Sequence, residues 1–202
     1  MTALNSRRWA TFGVLLTCAL PLGSAQAGTD TKNIATAVIE QDDGRAFDFA
    51  WDVSRQRGDG PVDHLNLAKA RARCMRCRAT AIAFQIVLVS GSPTTVAPRN
   101  EAEAINVECT ECAVAAEARQ FVRVVPDPVR FTGEGAAVLA DVREDLEALE
   151  VEDPPLEQLH QTVETEEARV RNVLQNELVL KSNPDKDANV LDGQTLQATD
   201  LE

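Results

Sequence analysis

The chain has 202 residues, with 20 Lys and Arg against 32 Asp and Glu and a formal charge of −12. That balance argues against nucleic acid and anionic membrane surfaces as partners, because both demand a net cationic face. Tyr is absent and aromatic residues make up 4%, so a core must be built from Ala, Val, Leu and Ile, and the aromatic platforms usual in carbohydrate-binding modules are largely missing.

Residues 1–27 read as a cleavable signal peptide. Arg7 and Arg8 form a positive n-region, and Trp9 to Leu22 make an apolar stretch too short to span a bilayer. Ser24-Ala25-Gln26-Ala27 offers the small side chains a signal peptidase admits, so the mature protein is expected to start near Gly28 and to reach the cell-envelope exterior or the medium. Ser6-Arg7-Arg8 partly resembles a twin-arginine signal, which would export a protein already folded and metal-loaded. Cleavage removes two arginines, no acid and Cys18, which leaves 18 basic residues, 32 acidic residues and four cysteines. No later segment is apolar enough to anchor the chain in a membrane.

Three similar phrases open the mature region: Asn33-Ile34-Ala35-Thr36-Ala37, Asn66-Leu67-Ala68-Lys69-Ala70 and Asn100-Glu101-Ala102-Glu103-Ala104. The second runs into Cys74-Met75-Arg76-Cys77, followed by Ala79, Ala81, Ala83, Gln85, Val87 and Val89 on alternate positions. The third runs into Cys109-Thr110-Glu111-Cys112, with Ala116, Ala118, Gln120, Val122 and Val124 in matching places. In the first, Gln41-Asp42-Asp43-Gly44 stands where the cysteines would be, and Phe47, Phe49, Trp51 and Val53 alternate after it. Alternation on both sides of a four-residue punctuation predicts a β-hairpin, so residues 28–125 are expected to form three successive hairpin-like repeats with Ala-rich strands. Asp43-Gly44 suits a tight turn; Met75-Arg76 and Thr110-Glu111 do not, and would need help from the flanking cysteines. Ala113 to Arg119 favours helix by propensity, but its place in the repeat predicts strand.

After Pro126 and Pro128 the pattern changes. Phe131-Thr132-Gly133 leads into an amphipathic helix with Val138, Val142, Leu146 and Leu149 on one stripe. Pro154-Pro155 breaks it, and Pro155 would open a second helix, Leu156 to about Leu180, with Leu159, Val163, Val170 and Leu174 on its apolar face. The two helices (residues 130–181) could pack on the sheet as a hairpin or engage a protein partner. Residues 182–202 are polar and expected to be disordered. The fold class is α+β, mainly β.

These features together resemble exported proteins and regions of actinobacteria and related bacteria commonly labelled as peptide zinc metalloproteases. The resemblance spans roughly Asn33 to Leu180. Such a protease holds zinc through His-Glu-x-x-His on a helix. Here His64 is followed by Leu-Asn-Leu-Ala and His160 by Gln-Thr-Val-Glu, so the resemblance implies a non-catalytic module that accompanies that enzyme.

Cys74, Cys77, Cys109 and Cys112 form C-x2-C-x31-C-x2-C. In an oxidising compartment an even set predicts disulfides, with three pairings open. Bridges across the units would close long loops and contribute on the order of 4 kcal/mol each, whereas bridges within a C-x-x-C close very short ones. Two knuckles at the tips of two turns also suit tetrahedral zinc. A redox dithiol is the third reading; it normally starts a helix, although Arg71, Arg73, Arg76 and Arg78 could lower a thiol pKa. Those arginines and Lys69 also match Glu101, Glu103, Glu108, Glu111 and Glu117 of the next unit, the simpler explanation. His64 and His160 read as solvated residues. Glu40, Asp42, Asp43 and Asp48 lack a calcium-loop spacing, and no acid/base pair stands out.

The sequence thus predicts a secreted, non-catalytic interaction or structural module without catalytic residues and with no cofactor required. The alternatives are a zinc-binding accessory protein of a cell-envelope peptidase or peptide-maturation system, and a thiol oxidoreductase.

Overall fold

A computed structural model describes residues 31–181 and, for the backbone, 195–197. The predicted signal peptide and the rest of the predicted tail lie outside the described residues. Six long strands form in chain order: β1 (Thr31–Ile39), β2 (Arg45–Arg57), β3 (His64–Ala72), β4 (Arg78–Ser90), β5 (Arg99–Asn106) and β6 (Ala113–Val125). Each expected strand–turn–strand unit is present, and Ala113 to Arg119 is strand.

The hydrogen bonding is not that of hairpins. The two strands of a unit lie in different sheets, and each pairs in parallel with its counterpart in the neighbouring unit. Sheet A is ordered β1-β3-β5, with Asn33 beside Asn66 and Asn66 beside Asn100. Sheet B is ordered β2-β4-β6, with Asp52 beside Gln85 and Gln85 beside Gln120. Partners are 33 to 35 residues apart. A period-two pattern fixes which side chains share a face, but it is equally compatible with an arch, in which the turn swings the second strand across to face the first.

The alternating alanines are what the arch brings together. Ala35, Ala37, Ala68, Ala70 and Ala72 of sheet A meet Ala79, Ala81, Ala83 and Ala118 of sheet B in a buried layer. Valines Val62, Val87, Val89 and Val122 close one end of it. Polar side chains cross this interior in two ladders. Asn33 donates to Asn66 (2.8 Å) and Asn66 to Asn100 (2.8 Å), and all three also donate to carbonyls of sheet B. Gln120 donates to Gln85 (2.7 Å) and Gln85 to Asp52 (3.3 Å). The buried amide nitrogens of the ladders are thereby satisfied, whereas Gln120 Oε1 has no hydrogen-bond partner among the described residues.

The outer face of sheet B carries the larger core, in which Phe84, Phe121, Ile82 and Ile86 pack under two helices. Helix α1 (Gly133–Glu152) starts at Thr132, whose side chain accepts from Gly135 N–H at 2.9 Å. Gly135 is required there, since a Cβ would sit 2.5 Å from Cβ of Glu177. Helix α2 (Leu156–Asn176) has Pro155 at its N-cap position, so its first helical residue falls one position later than the expected Pro155. The predicted stripes, Val142, Leu146 and Leu149 with Leu159, Val163, Val170 and Leu174, are buried on the sheet. Packing as a hairpin on the sheet, the first of the two arrangements considered above, is what the structure has.

Helix α2 ends four residues short of Leu180. Leu178–Leu180 instead forms strand β8, antiparallel to β7 (Val129–Phe131); a helical continuation would leave the backbone of β7 without these ladder partners. Within the predicted tail, Thr195–Gln197 forms β9, antiparallel to Phe121–Arg123 of β6, so that stretch is ordered by an edge that would otherwise be unpaired. Among the described residues no helix is long and apolar enough to cross a membrane.

Candidate functional site

The turns joining the strands of each unit stack on one another. Asp43 N–H donates to Met75 O (2.9 Å), Met75 N–H to the Asp42 carboxylate (2.8 Å) and Arg76 N–H to Thr110 O (2.9 Å). Asp43, Arg76 and Glu111 occupy equivalent places and are all left-handed, with φ of 56°, 51° and 56°. Such a backbone costs a non-glycine residue about 1 kcal/mol, and in the second and third turns that residue sits between two cysteines. Replacing exposed Glu111 by glycine should therefore raise the folding free energy by about 0.5 kcal/mol, after allowing for the more flexible unfolded chain. A lower urea midpoint for Glu111→Gly than for the parent would refute this account of the turn.

Stacking the turns brings the four cysteines together. Cys74 is joined to Cys77 and Cys109 to Cys112, and all four Sγ atoms lie within 4.8 Å of one another. Across the two turns, Cys77 Sγ is 3.3 Å from Cys112 Sγ and 4.0 Å from Cys109 Sγ. Cys74 and Cys77 are buried, at 6% and 3% exposure, while the second pair is half-buried at the open end of the stack. Ile39 of the first unit packs against the core of alanines that includes Cys74 and Cys77. Among the described residues this is the one group of three or more side chains able to share a metal ion.

Two chemistries fit these positions. Bridges within each turn lock the left-handed residue between them, although so short a loop removes little entropy from the unfolded chain. Four thiolates around tetrahedral zinc, each about 2.3 Å from the metal, would place sulfurs about 3.8 Å apart; the cross-turn separations of 3.3 and 4.0 Å lie near that spacing, whereas the two sulfurs within each turn are at bonding distance and would have to part. Parallel stacking explains the convergence, because neighbouring strands run about 4.8 Å apart and the cysteines occupy matching places in adjacent turns.

A redox dithiol fits poorly. The first pair is buried, and it lies between two strands instead of at a helix N-terminus. The nearby arginines are matched by carboxylates: Arg73 with Glu108 (3.1 Å), Arg76 with Asp43 (2.7 Å) and Arg78 with Asp153 (3.2 Å). The Arg76 guanidinium, by hydrogen bonding, holds the Asp43 carboxyl below its usual range. The expected pairing between the second and third units occurs at Lys69–Glu103 (2.5 Å) and Arg73–Glu108. Arg76 instead faces the first unit, and Arg78, with Arg45, grips Asp153 at the corner between the helices.

His64 is a correction. It is not a solvated turn residue but 1% exposed at the start of β3, where it contacts the hydroxyl of Thr31 and the Gln56 side chain (3.1 Å). Its position extends the inward face of the Asn-Ala-Ala pattern by one step, and a hydrogen-bonded imidazole is tolerated there. His160 does lie half-exposed on α2, between Glu117 (3.1 Å) and Glu164 (3.0 Å). The hydrogen bond and charge of Glu117 raise its pKa above 6.5. Of the four acids around the first turn, Asp42 and Asp43 serve the turn stack and Asp48 accepts the Thr36 N–H at 2.5 Å.

Two features escaped the sequence reading. The asparagines and glutamines were visible as recurring letters, but their role as ladders depends on parallel stacking. The Arg45–Arg78–Asp153 contact joins residues far apart in sequence and leaves no local signal. No known protein family, curated protein or solved structure matches this chain.

Proposed function

We propose that this protein is an exported, non-catalytic interaction or structural module in which the two cysteine pairs fasten the turns of a stacked two-sheet scaffold. The observation that carries this reading is the convergence of four sulfurs from adjacent turns, backed by an alanine-filled interior. Disulfides suit the compartment implied by residues 1–27. The cluster therefore serves rigidity at the turn end of the stack, and the surrounding surface is what a protein partner would read.

A second reading, a zinc-binding accessory protein of a cell-envelope peptidase or peptide-maturation system, is favoured by the cross-turn sulfur separations of 3.3 and 4.0 Å. Mass spectrometry of the exported protein separates the two. Disulfides give a denatured mass about four units below that of the reduced chain, one for each thiol hydrogen lost. Zinc gives a native mass about 65 units above the metal-free protein and four alkylatable thiols after unfolding. Four free, metal-free cysteines in the native protein would defeat both.

A further inference from the structure

Where β2, β4 and β6 end, the outer face of sheet B and the β7–β8 pair enclose a cavity of about 350 Å³. Its floor is apolar. Arg55 and Arg57 succeed Phe47, Phe49, Trp51 and Val53 on the same face of β2, and the register places Leu88 beside Arg55 and Ser90 beside Arg57. Val125 follows Ser90 across the sheet. Val129 and Lys181 supply the opposite wall, which is tied down by the Lys181 N–H bond to Pro128 O at 2.9 Å.

The charge of this cavity runs against that of the chain. Acids exceed bases by twelve overall, and many arginines have a carboxylate close by, at 3.3 Å or less for Arg45, Arg73, Arg76, Arg78, Arg99 and Arg119. Arg55, Arg57 and Lys181 line the cavity together, and among the described residues no acid lines it with them and none of the three has an ion-pair partner. Arg55 is held over the Phe131 ring at 5.5 Å. Three cations gathered around an apolar floor, without a counter-charge among the described residues, form a receptor for an oxyanion that carries a hydrophobic body.

We propose that this cavity binds a small amphiphilic anion, with a carboxylate or phosphate head at Arg57, Lys181 and Arg55 and a short aliphatic body on Leu88, Val125 and Val129. Calorimetric titration of the full chain with hexanoate and hexyl phosphate, each against its tailless counterpart acetate or inorganic phosphate, tests it. At least one tailed probe should bind about tenfold or more tightly than its counterpart, since each buried methylene favours binding. The tighter of the two tailed probes identifies the head group. Arg57→Gln and Lys181→Gln, both at exposed side chains, should each weaken that binding about tenfold with the melting temperature unchanged. The absence of binding by either tailed probe, equal affinity with and without the tail, or affinity indifferent to both substitutions would overturn the proposal.

Discussion

Asn66→Ala is expected to lower the folding free energy by about 2–4 kcal/mol. Asn66 is fully buried, and its amide nitrogen donates to Asn100 Oδ1, Ala83 O and Arg119 O at 2.8, 3.0 and 3.1 Å while its oxygen accepts from Asn33. Truncation removes the middle of the ladder. It leaves buried acceptors in sheet B and on Asn100 without that donor, at about 1–3 kcal/mol for each group left unsatisfied. A cavity the size of an amide adds to the cost. Asn100→Ala, at the half-buried end of the same ladder, should cost less, because water can reach the freed groups. Urea denaturation of both variants measures the difference; equal losses, or a loss below about 1 kcal/mol at Asn66, would mean that the ladder does not stabilise the stack as argued.

The second large effect concerns volume. Ala70 is fully buried, lies between Ala37 and Ala104 in sheet A and faces the alanines of sheet B. The distance between the sheets is set by methyl groups along both faces, so one larger side chain cannot be absorbed by a neighbour's rotamer change. Ala70→Leu should destabilise by about 3 kcal/mol or more, at the upper end of what overpacking causes. Ala104→Leu is the control: the same column, but exposed on the edge strand β5, where a change of about 0.5 kcal/mol or less is expected. Thermal melts distinguish the outcomes, and a well-tolerated Ala70→Leu would show that the alanine layer is not what fixes the sheet separation.

Much of this architecture could be read from letters. Alternation around Gln41–Gly44, Cys74–Cys77 and Cys109–Cys112 located six strands and three turns, and it overruled the helical propensity of Ala113 to Arg119. The apolar stripes of α1 and α2 located the helices. What alternation could not supply is the direction of hydrogen bonding, since an alanine stripe looks the same whether its strand pairs with the next segment or faces it. The more telling clue was identity of position: Asn33, Asn66 and Asn100, and Gln85 with Gln120, recur at the offsets that bring like amides into register in parallel stacks. The failure at His64 has the same root, because only the inward face of β3, once defined, buries it. The end of α2 was missed because Leu178-Val179-Leu180 continues an apolar pattern either way, and its partner, Val129–Phe131, lies some fifty residues upstream.

The within-turn cysteine pairing also bears on the order of assembly. Every pairing between the long strands joins residues 33 or more positions apart, so the ladder belongs to the slow, non-local class of folds. The two members of each C-x-x-C are separated by three positions, so closing that loop does not require the sheets to exist. Oxidation can therefore pre-shape the second and third turns while the chain is still open. A metal shared between the turns could act only after the units had already met.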